Sequence, residues 1–283
     1  MPESPDVAAV IGWGLPRLRD LPWRQTRDPW AVLVSEVMLQ QTQAARVVPK
    51  WLAFMEAFPT PAVCADAPLG DVLRLWQGLG YPRRARNLHA AATAVVAAGS
   101  FPSSLDGLLA LPGVGQYTAR AVMAFAFELD AAVVDTNIAR VYARVAGGRL
   151  TARQVQVAAD AALTSGDSWA WNQCLMDLGA VLCRPTSPGC AECPLRPGCA
   201  WHGVGDDPAI GSAGVSGRQS RFEGSDRQGR GRLMHAAARG PVPVADVAAA
   251  AGWPTQPARA RSAADSLVAD GLLVLTDGLY RLP

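Results

Sequence analysis

The 283-residue sequence is almost without lysine: its 26 basic residues are arginines except for Lys50. A biased genomic base composition would explain this, but the scarcity also restricts any chemistry that needs a lysine amine. No apolar run approaches the roughly 20 residues that a bilayer crossing needs, and the N-terminus lacks the basic-then-apolar profile of a signal peptide. We therefore expect a cytoplasmic protein whose cysteines stay reduced.

The chain also has no strong excess of either charge. Its net charge is +2, with half of its residues apolar and 18% charged, which predicts a soluble globular protein of about two domains. Residues 1–216 contain 17 basic and 18 acidic side chains, and residues 217–283 contain 9 and 6. A phosphate bound by the first part must therefore be bound locally, by backbone amides or a few arginines.

Strand-like alternation is missing from residues 1–200, where apolar residues recur at the spacing of three and four that predicts helices. The predicted helical segments are 30–56, 69–79, 84–98, 117–127, 133–146, 154–164 and 169–182. Residues 203–220 have the composition of a linker. After it, the pattern predicts helices over 226–239, 243–251 and 256–270 and two short strands around Asp277-Gly278, an order similar to a winged helix.

Four of the six cysteines form one cluster, Cys183, Cys190, Cys193 and Cys199, with the spacing C-x6-C-x2-C-x5-C. In a reducing compartment such a cluster indicates metal binding. Zinc is one alternative, although four-cysteine zinc sites usually pair two C-x2-C knuckles and only one is present here. Iron–sulfur clusters accept wider spacing. Cys64 and Cys174 lie on apolar helical faces, which predicts plain core residues.

The string from Leu111 to Ala119, L-P-G-V-G-Q-Y-T-A, joins two predicted helices. Its glycines allow a tight turn that leaves the amides of Gly113, Val114 and Gly115 uncovered at the start of the second helix. Such a helix start binds a phosphate without any charged side chain. A simple Pro-Gly turn is the plainer alternative.

Two carboxylates stand out. Glu36 lies in an otherwise apolar helix, where burial would raise its pKa and keep it a proton donor. Asp135 precedes another predicted helix, so a helix N-cap is its ordinary role. Two carboxylic acids in opposite protonation states suit cleavage of a glycosidic bond, because one protonates the leaving group while the other stabilises the sugar cation.

The strings L-P-W-R at 21–24, D-P-W at 28–30 and S-E-V-M-L-Q-Q-T-Q at 35–43 closely resemble the A/G-specific adenine DNA glycosylases of the MutY family. Further matches are the hairpin, the cysteines, G-L-G-Y at 78–81, R-A-R-N-L at 84–88 and V-D-T-N at 134–137, so the resemblance covers about residues 20–200. Endonuclease III is similar in hairpin and cluster but lacks the S-E-V-M-L-Q-Q-T-Q run.

The resemblance implies an all-α helix-hairpin-helix fold of two helical lobes, followed by a small winged-helix-like domain. We expect a cluster lobe from residues 1–23 and 136–202, a helical lobe from 24–135 with the hairpin at 106–127, the linker, and the C-terminal domain at 221–283. It also implies one [4Fe–4S] cluster on the four cysteines. We expect a monomer that acts at the nucleoid. Its expected partner is double-stranded DNA that contains adenine mispaired with 8-oxoguanine or guanine.

By the same resemblance, Glu36 protonates the adenine and Asp135 stabilises the oxocarbenium ion, with Tyr117 and Asn137 positioning them. Because the base must first be flipped out, Gln41 and Tyr81 are expected to wedge into the stack. For Tyr81 ordinary packing is the alternative, and Pro82 stands where the family often has a second tyrosine. Residues expected in the adenine pocket are Arg24, Leu39 and Gln173.

Tyr117 occupies the place where strand-cutting members of the superfamily have a lysine that attacks the sugar. We therefore expect no lysine-dependent cleavage of the strand. Two other functions stay open: an endonuclease III-like enzyme for oxidised pyrimidines, and a non-catalytic iron–sulfur protein that binds DNA.

The C-terminal part departs from the family, whose members usually add a nudix-like domain that recognises 8-oxoguanine. The tail here is too short for that domain. The arginines at its entrance, which bind phosphate or form a solvated face, are Arg218, Arg221, Arg227, Arg230 and Arg232.

Overall fold

The computed structural model describes residues 4–163, 166–212 and 221–283. The helices are α1 (Val7–Gly14), α2 (Pro29–Leu39), α3 (Ala44–Ala57), α4 (Pro61–Asp66), α5 (Leu69–Leu75), α6 (Arg83–Ala98), α7 (Leu105–Leu109), α8 (Gln116–Phe125), α9 (Thr136–Ala146), α10 (Ala152–Ala162), α11 (Ser168–Asp177), α12 (Asp226–Arg239), α13 (Val247–Ala250) and α14 (Pro257–Ala269). The strands are β1 (Val242–Pro243), β2 (Val274–Thr276) and β3 (Leu279–Arg281). The predicted all-α class is confirmed, and none of the described helices combines the length and hydropathy that a membrane crossing requires.

The chain divides into two compact units. Unit 1 contains the described residues within Met1–Val32, Ser103–Leu109 and Val114–Arg218, and unit 2 those within Leu33–Pro102, Ala110–Gly113 and Gln219–Pro283. These boundaries differ from the lobes that we expected. Residues 114–135 belong to unit 1, where α8 packs against α11, and the C-terminal residues belong to unit 2, where α12 packs against α5.

The core of unit 1 lies around α9 and α11, against which α1 packs. Tyr142 on α9 and Trp171 on α11 are fully buried there. The next helix, α10, is fixed at its start by a capping box, because the Thr151 side chain accepts from the Gln154 amide while the Gln154 side chain accepts from the Thr151 amide. Helix α9 packs against both α10 and α11.

The core of unit 2 is built from α3 to α6, with α4 packed against α6. Phe54 on α3 meets Trp76 edge to face, with ring centroids 6.3 Å apart. Helix α6 ends at Gly99, whose φ of 74° lies in the left-handed region that favours glycine at a helix C-terminus. Helix α6 belongs to this core through its buried residues Leu88, Ala92 and Val95.

Four predicted segments within residues 1–200 differ from the structure by more than two residues. Segment 69–79 ends at Leu75. Segment 30–56 is two helices separated at residues 40–43, where Gln41 has a φ of 56°. Segment 133–146 begins at Thr136, because Asp135 caps the helix. Segment 169–182 ends in a π-helical turn over Leu178–Leu182. Residue 164 of segment 154–164 lies outside the described residues.

The first half of the expected linker is packed on unit 1. Arg144 donates to Asp207 Oδ2 over 2.6 Å, and the Leu150 amide donates to Ser212 Oγ over 3.2 Å. Ala209 is also buried. Residues 213–220, including Arg218, lie outside the described residues.

The C-terminal domain has the predicted winged-helix order with one additional strand. The three strands pair antiparallel in the order β1-β3-β2, with Tyr280 of β3 opposite Val242 and Leu275. Because residues 242–243 join the sheet, α13 is shorter than predicted. Asp277 and Gly278 have φ values of 53° and 72°, as a tight two-residue hairpin turn requires.

Candidate active site

Glu36 lies in the middle of α2 and is only 4% exposed. The helix is buried on nearly every side, since its residues from Trp30 to Met38 are all at most 5% exposed. The burial that the sequence predicted for this acid is confirmed. Leu39, at the end of the same helix, is half-buried, and the following Gln41 is exposed.

One arginine holds the end of α2, and sequence reasoning missed its role. Arg84 donates from Nη1 to the carbonyl oxygens of Val37 and Gln40, both over 2.7 Å, and to that of Met38 over 3.0 Å. From Nη2 it donates to the carbonyl of Leu79 over 3.0 Å and to that of Gly80 over 3.1 Å. Burial lowers the pKa of Arg84 to about 10, so it stays a cation at neutral pH.

The loops that contain Gln41 and Tyr81 are therefore fixed by the same guanidinium. Both residues have the positive φ that side-chain-bearing residues rarely adopt, 56° at Gln41 and 48° at Tyr81. Tyr81 is 41% exposed. Strained backbone costs about 1–3 kcal/mol per residue and concentrates where function requires it. These are the two residues that the sequence predicted as wedges.

Asp135 is held by two hydrogen bonds at the start of α9. Its Oδ1 accepts from the Ile138 amide over 2.7 Å, and its Oδ2 accepts from Asn137 Nδ2 over 2.8 Å. The ordinary role as an N-cap is therefore present, and it leaves the carboxylate in a fixed orientation. Burial raises the pKa of Asp135, and the hydrogen bonds from Ile138 and Asn137 oppose that rise.

Arg140, which sequence reasoning also missed, continues this network. Its Nη2 donates to Asn137 Oδ1 over 2.9 Å and to the Gly179 carbonyl over 2.6 Å, and its Nε donates to the Cys183 carbonyl over 2.8 Å. A continuous chain of hydrogen bonds thus joins Asp135 to the first cysteine of the cluster. Arg140 and Arg144 lie four residues apart on one buried helix. That spacing places both on the same face of the helix, and this is the signal that could have indicated a shared role.

The π-helical turn approaches α9 so closely that a side chain at Gly179 would fit only if its neighbours shifted. A Cβ placed there would lie 2.8 Å from the Asn137 Cβ and 2.9 Å from the Asn137 carbonyl oxygen. The turn therefore packs directly on the residue that orients Asp135.

The hairpin has the backbone that the sequence predicted. Gly113 has a φ of 79°, and a side chain there would collide with Asn87 of α6 at 2.7 Å. Gly115 precedes the first residue of α8 as its N-cap. Half-buried Tyr117 lies in the first turn of α8. Phosphate binding by the amides of residues 113–115 stays a prediction.

Arg24 and Gln173 are both buried in unit 1, at 8% and 5% exposed. Arg24 forms a two-pronged ion pair with Asp177, in which Nη1 and Nη2 each lie 2.8 Å from a carboxylate oxygen. Arg19 binds the same carboxylate. Burial raises the pKa of Asp177, but the hydrogen bonds from these arginines outweigh it and hold the pKa below its usual range. Sequence reasoning did not foresee that Arg24 would be anchored by an acid 153 residues away.

The four cysteines of the cluster line one pocket. Arg144 donates to the Cys183 sulfur over 3.2 Å, and the His202 amide donates to the Cys199 sulfur over 3.3 Å. Among the described residues no three His, Cys, Asp or Glu side chains converge as ligands of a single metal ion. The sulfurs of all four cysteines border this pocket, and those of Cys183 and Cys199 accept hydrogen bonds of the kind that stabilise thiolates.

Comparisons with known proteins agree with this geometry. The model of the HhH-GPD superfamily of base excision DNA repair proteins matches residues 34–163. The adenine DNA glycosylase of Mycobacterium tuberculosis is 42% identical over 97% of this chain and 92% of its own length. That of Mycolicibacterium smegmatis is 41% identical over 96% and 94%.

The chain belongs to the adenine DNA glycosylase family.

Two solved structures share the fold. A thermostable thymine-DNA glycosylase superimposes with a TM-score of 0.66 at 31% identity, covering 69% of this chain and 94% of that one. Endonuclease III in a non-covalent DNA complex gives 0.61 at 25% identity, covering 68% and 91%. The mycobacterial members of the adenine DNA glycosylase family match almost the full length, so the short C-terminal part is shared with them.

Proposed function

We propose that this protein is a base excision repair glycosylase that hydrolyses the N-glycosidic bond of adenine mispaired with 8-oxoguanine or guanine, without cutting the strand. The observation on which the proposal rests is Glu36, an acid 4% exposed inside an apolar helix. An apolar side chain would pack there at lower cost, since a buried carboxyl must be desolvated. An acid retained at such a position suits a proton donor.

In the proposed reaction the adenine is flipped out while Gln41 and Tyr81 enter the stack. Glu36 donates its proton to N7 of the base, and the bond between C1′ and N9 breaks with its electron pair leaving on the base. The Asp135 carboxylate stabilises the oxocarbenium ion, and Asn137 fixes that carboxylate. Water then adds to C1′ and gives a proton to the Glu36 carboxylate, which restores the acid and leaves an abasic site.

Three residues are proposed to line the adenine pocket: Arg24, Leu39 and Gln173. For Arg24 we propose that it shapes the pocket without binding the base directly, because its two terminal nitrogens are bound to Asp177. Tyr117 is proposed to help position the two carboxylates from the first turn of α8. The amides of Gly113, Val114 and Gly115 are proposed to bind a DNA phosphate at the start of that helix.

The four cysteines are proposed to bind one [4Fe–4S] cluster, in which each thiolate binds its own iron. A pocket bordered by sulfurs suits such a cluster better than a single zinc ion, whose four thiolates must converge within about 2.3 Å of one point. When bound, the cluster would order the loop over residues 183–202. Arg140 would transmit that order to Asp135 through Asn137. We propose no chemical step for the cluster itself.

Absence of strand cleavage is proposed from Tyr117, which has no amine, and from the lone lysine, Lys50, which lies on α3 in unit 2. We propose a cytoplasmic monomer acting at the nucleoid. The likeness to endonuclease III and to a thymine-DNA glycosylase favours a second candidate function, removal of oxidised pyrimidines from DNA.

The test uses duplexes that differ only in the target pair: A:8-oxoguanine, A:G, A:T, T:G and an oxidised pyrimidine opposite guanine. We expect adenine release from the first two, with strand breaks only after alkali treatment, and no adduct on borohydride trapping. Release of pyrimidines together with a trapped adduct favours the second candidate. Tight binding without any base release contradicts both and indicates a non-catalytic protein.

A further inference from the structure

Residues 33–102, the helical part of unit 2, contain six basic side chains, of which four bind partners inside the protein. Arg46 and Lys50 differ from these four. Within the part of the chain that the structure describes, neither of their side chains has a hydrogen-bond or ion-pair partner. The committed four are Arg74 on Asp71, Arg83 and Arg86 on Asp270, and Arg84 on the carbonyl oxygens described above.

Arg46 and Lys50 lie one helical turn apart, so they share a face of α3. No acid stands three or four residues from either of them along the helix. Like charges at this spacing repel each other, and an anion bound between them would remove the repulsion. The neighbouring positions on the same face are Thr42, Gln43 and Pro49 for Arg46, and Val47, Ala53 and Phe54 for Lys50.

Both cations lie beside the loops that contain the proposed wedges, residues 40–43 and 78–82. The first loop leads directly into α3, so Arg46 follows Gln41 by five residues. Lys50 contacts the second loop, because its Cε lies 3.8 Å from the position that a Cβ at Gly78 would occupy. Lys50 is half-buried, so its apolar stem packs along the loop while its ammonium group carries the charge at the end of that stem.

The second loop is held in place by contacts of its own. Trp76 donates from Nε1 to the Gly80 carbonyl over 3.2 Å. The guanidinium carbon of Arg84 lies 5.5 Å from the ring centroid of Trp76 and 5.6 Å from that of Tyr81. Lys50 and the Tyr81 ring are therefore both in contact with one short, well-anchored segment.

We propose that Arg46 and Lys50 form a binding site for the DNA backbone, in which each cation contacts one phosphate beside the flipped adenine. The inference rests on the proposed insertion of Gln41 and Tyr81 into the stack. Insertion of those side chains would bring residues 40–43 and 78–82 against the sugar-phosphate backbone, together with the cations that adjoin them. Phosphate contacts involve no base edge, so the site adds affinity without distinguishing the opposite base.

The two side chains suit a phosphate in different ways. The Arg46 guanidinium can donate to two phosphate oxygens at once, whereas the Lys50 ammonium group is a compact point charge on a flexible stem. A point charge is replaceable by another cation. Lys50→Arg should therefore keep the contact that Lys50→Gln removes, which separates an effect of charge from an effect of packing.

The first experiment measures affinity by anisotropy from 50 to 200 mM salt, using the full-length protein. The duplex contains A:8-oxoguanine with a 2′-fluoro sugar at the adenine, which resists cleavage because fluorine destabilises the sugar cation. The variants are Arg46→Gln, Lys50→Gln, the double variant and Lys50→Arg.

Arg239→Gln is the control that removes one positive charge elsewhere in unit 2. Arg239 is exposed in the last turn of α12. The other end of that helix lies near the wedge, because Arg227 donates to the Tyr81 hydroxyl over 3.3 Å. Arg239 is about 18 Å further along α12, at 1.5 Å per residue.

We expect each single change to Gln to lower the slope of log Kd against log salt by about 0.9, the value for one phosphate, and the double variant to lower it by about twice that. The same slope predicts about tenfold weaker binding at 100 mM salt for each lost contact. Lys50→Arg and Arg239→Gln should keep the wild-type slope. The two-cation site is refuted if either single change to Gln leaves the slope unaltered, or if Lys50→Arg loses as much as Lys50→Gln.

The second experiment locates the contacts on the DNA. One phosphate at a time, within three nucleotides of the mispair, is replaced by a neutral methylphosphonate. Wild type should lose about tenfold in affinity at one position where Lys50→Gln loses nothing, and at another where Arg46→Gln loses nothing. Equal losses in wild type and both variants at every position overturn the proposal, because the cations would then act only through the total charge.

Thermal unfolding of each variant checks that α3 stays folded, and Lys50→Met, which keeps the apolar stem, replaces Lys50→Gln if that variant unfolds. The wild-type base-release assay separates this inference from the proposed function. If wild type releases no adenine, the proposed function fails. Normal release together with unaltered salt slopes refutes the phosphate site alone.

Discussion

Glu36 and Asp135 are both carboxylic acids, but the chain surrounds them in opposite ways. Glu36 is enclosed by the buried residues of α2 in unit 2. Asp135 lies at the start of α9 in unit 1 and accepts hydrogen bonds from Ile138 and Asn137. Apolar burial favours the neutral acid, and hydrogen-bond donors favour the anion. Local environment, and not residue type, therefore distinguishes the two roles that we propose for these acids.

The surroundings of Asp135 favour its anion less strongly than the surroundings of an exposed N-cap would. Burial raises its pKa, and the hydrogen bonds from Ile138 and Asn137, together with the positive charge of Arg140, counteract that rise. The stability of the anion therefore depends on the Asn137 side chain. The position of that side chain depends in turn on the hydrogen bond from Arg140 and on the close packing of Gly179. The neutral form of Glu36 depends on a buried helix, whereas the anion of Asp135 depends on a connected network of hydrogen bonds.

The largest effect is expected for Glu36→Gln, which keeps the shape and removes the proton. General acid catalysis contributes about 10²- to 10⁴-fold, so single-turnover adenine release should fall by about a thousandfold or more. Binding of the mispaired duplex should survive within a few-fold. Glu56→Gln, at an exposed glutamate of α3, is the control and should behave like wild type. Comparable loss in both variants would remove Glu36 from the proposed reaction.

The second prediction tests whether the orientation of Asp135 depends on the loop over residues 183–202, which contains the four cysteines. Cys193→Ser should lose bound iron and the visible absorption of the cluster. Because the loop contacted by Arg140 would then be released, adenine release should slow by about a hundredfold, which is the size of effect that loss of a supporting ligand shell has. Cys64→Ser is the control because Cys64 is fully buried in unit 2. It should keep its iron and lose only about 1–3 kcal/mol of stability through a buried hydroxyl. Full iron content in Cys193→Ser would contradict the ligand assignment.

The pH dependence sharpens the comparison further. Activity should rise with pH as Asp135 ionises and fall as Glu36 loses its proton, giving a bell-shaped profile. The Asn137 hydrogen bond lowers the pKa of Asp135, so Asn137→Ala should raise that pKa and move the acidic limb upward by about one pH unit, the equivalent of one hydrogen bond. The alkaline limb should stay in place, which makes each profile its own control. A shift of both limbs together would show that the two acids do not titrate separately.

Much of this site was predictable because its signals are local. The apolar string around Glu36 predicted its burial, the position of Asp135 before a helix predicted the N-cap, and the spacing of the cysteines predicted that they share one site. The long-range acceptors of Arg84 and Arg140 were not predictable, because the carbonyls of Val37 and Cys183 lie 47 and 43 residues away in sequence. For the same reason the break between α2 and α3 was missed, since Arg84 supplies the donors that the end of α2 needs.

The smallest predicted effect tests whether the Asp135 network depends on close packing. Gly179→Ala would place a methyl group 2.8 Å from the Asn137 Cβ, and such overpacking costs about 1–3 kcal/mol. Displacing Asn137 would tilt the Asp135 carboxylate, so we expect adenine release to slow by about tenfold with unchanged DNA affinity. Gly148→Ala is the matched control, because a Cβ there meets no atom within 4 Å. If Gly179→Ala is destabilised yet fully active, Asp135 does not need Asn137 in that position, and its N-cap bond to Ile138 suffices to orient it.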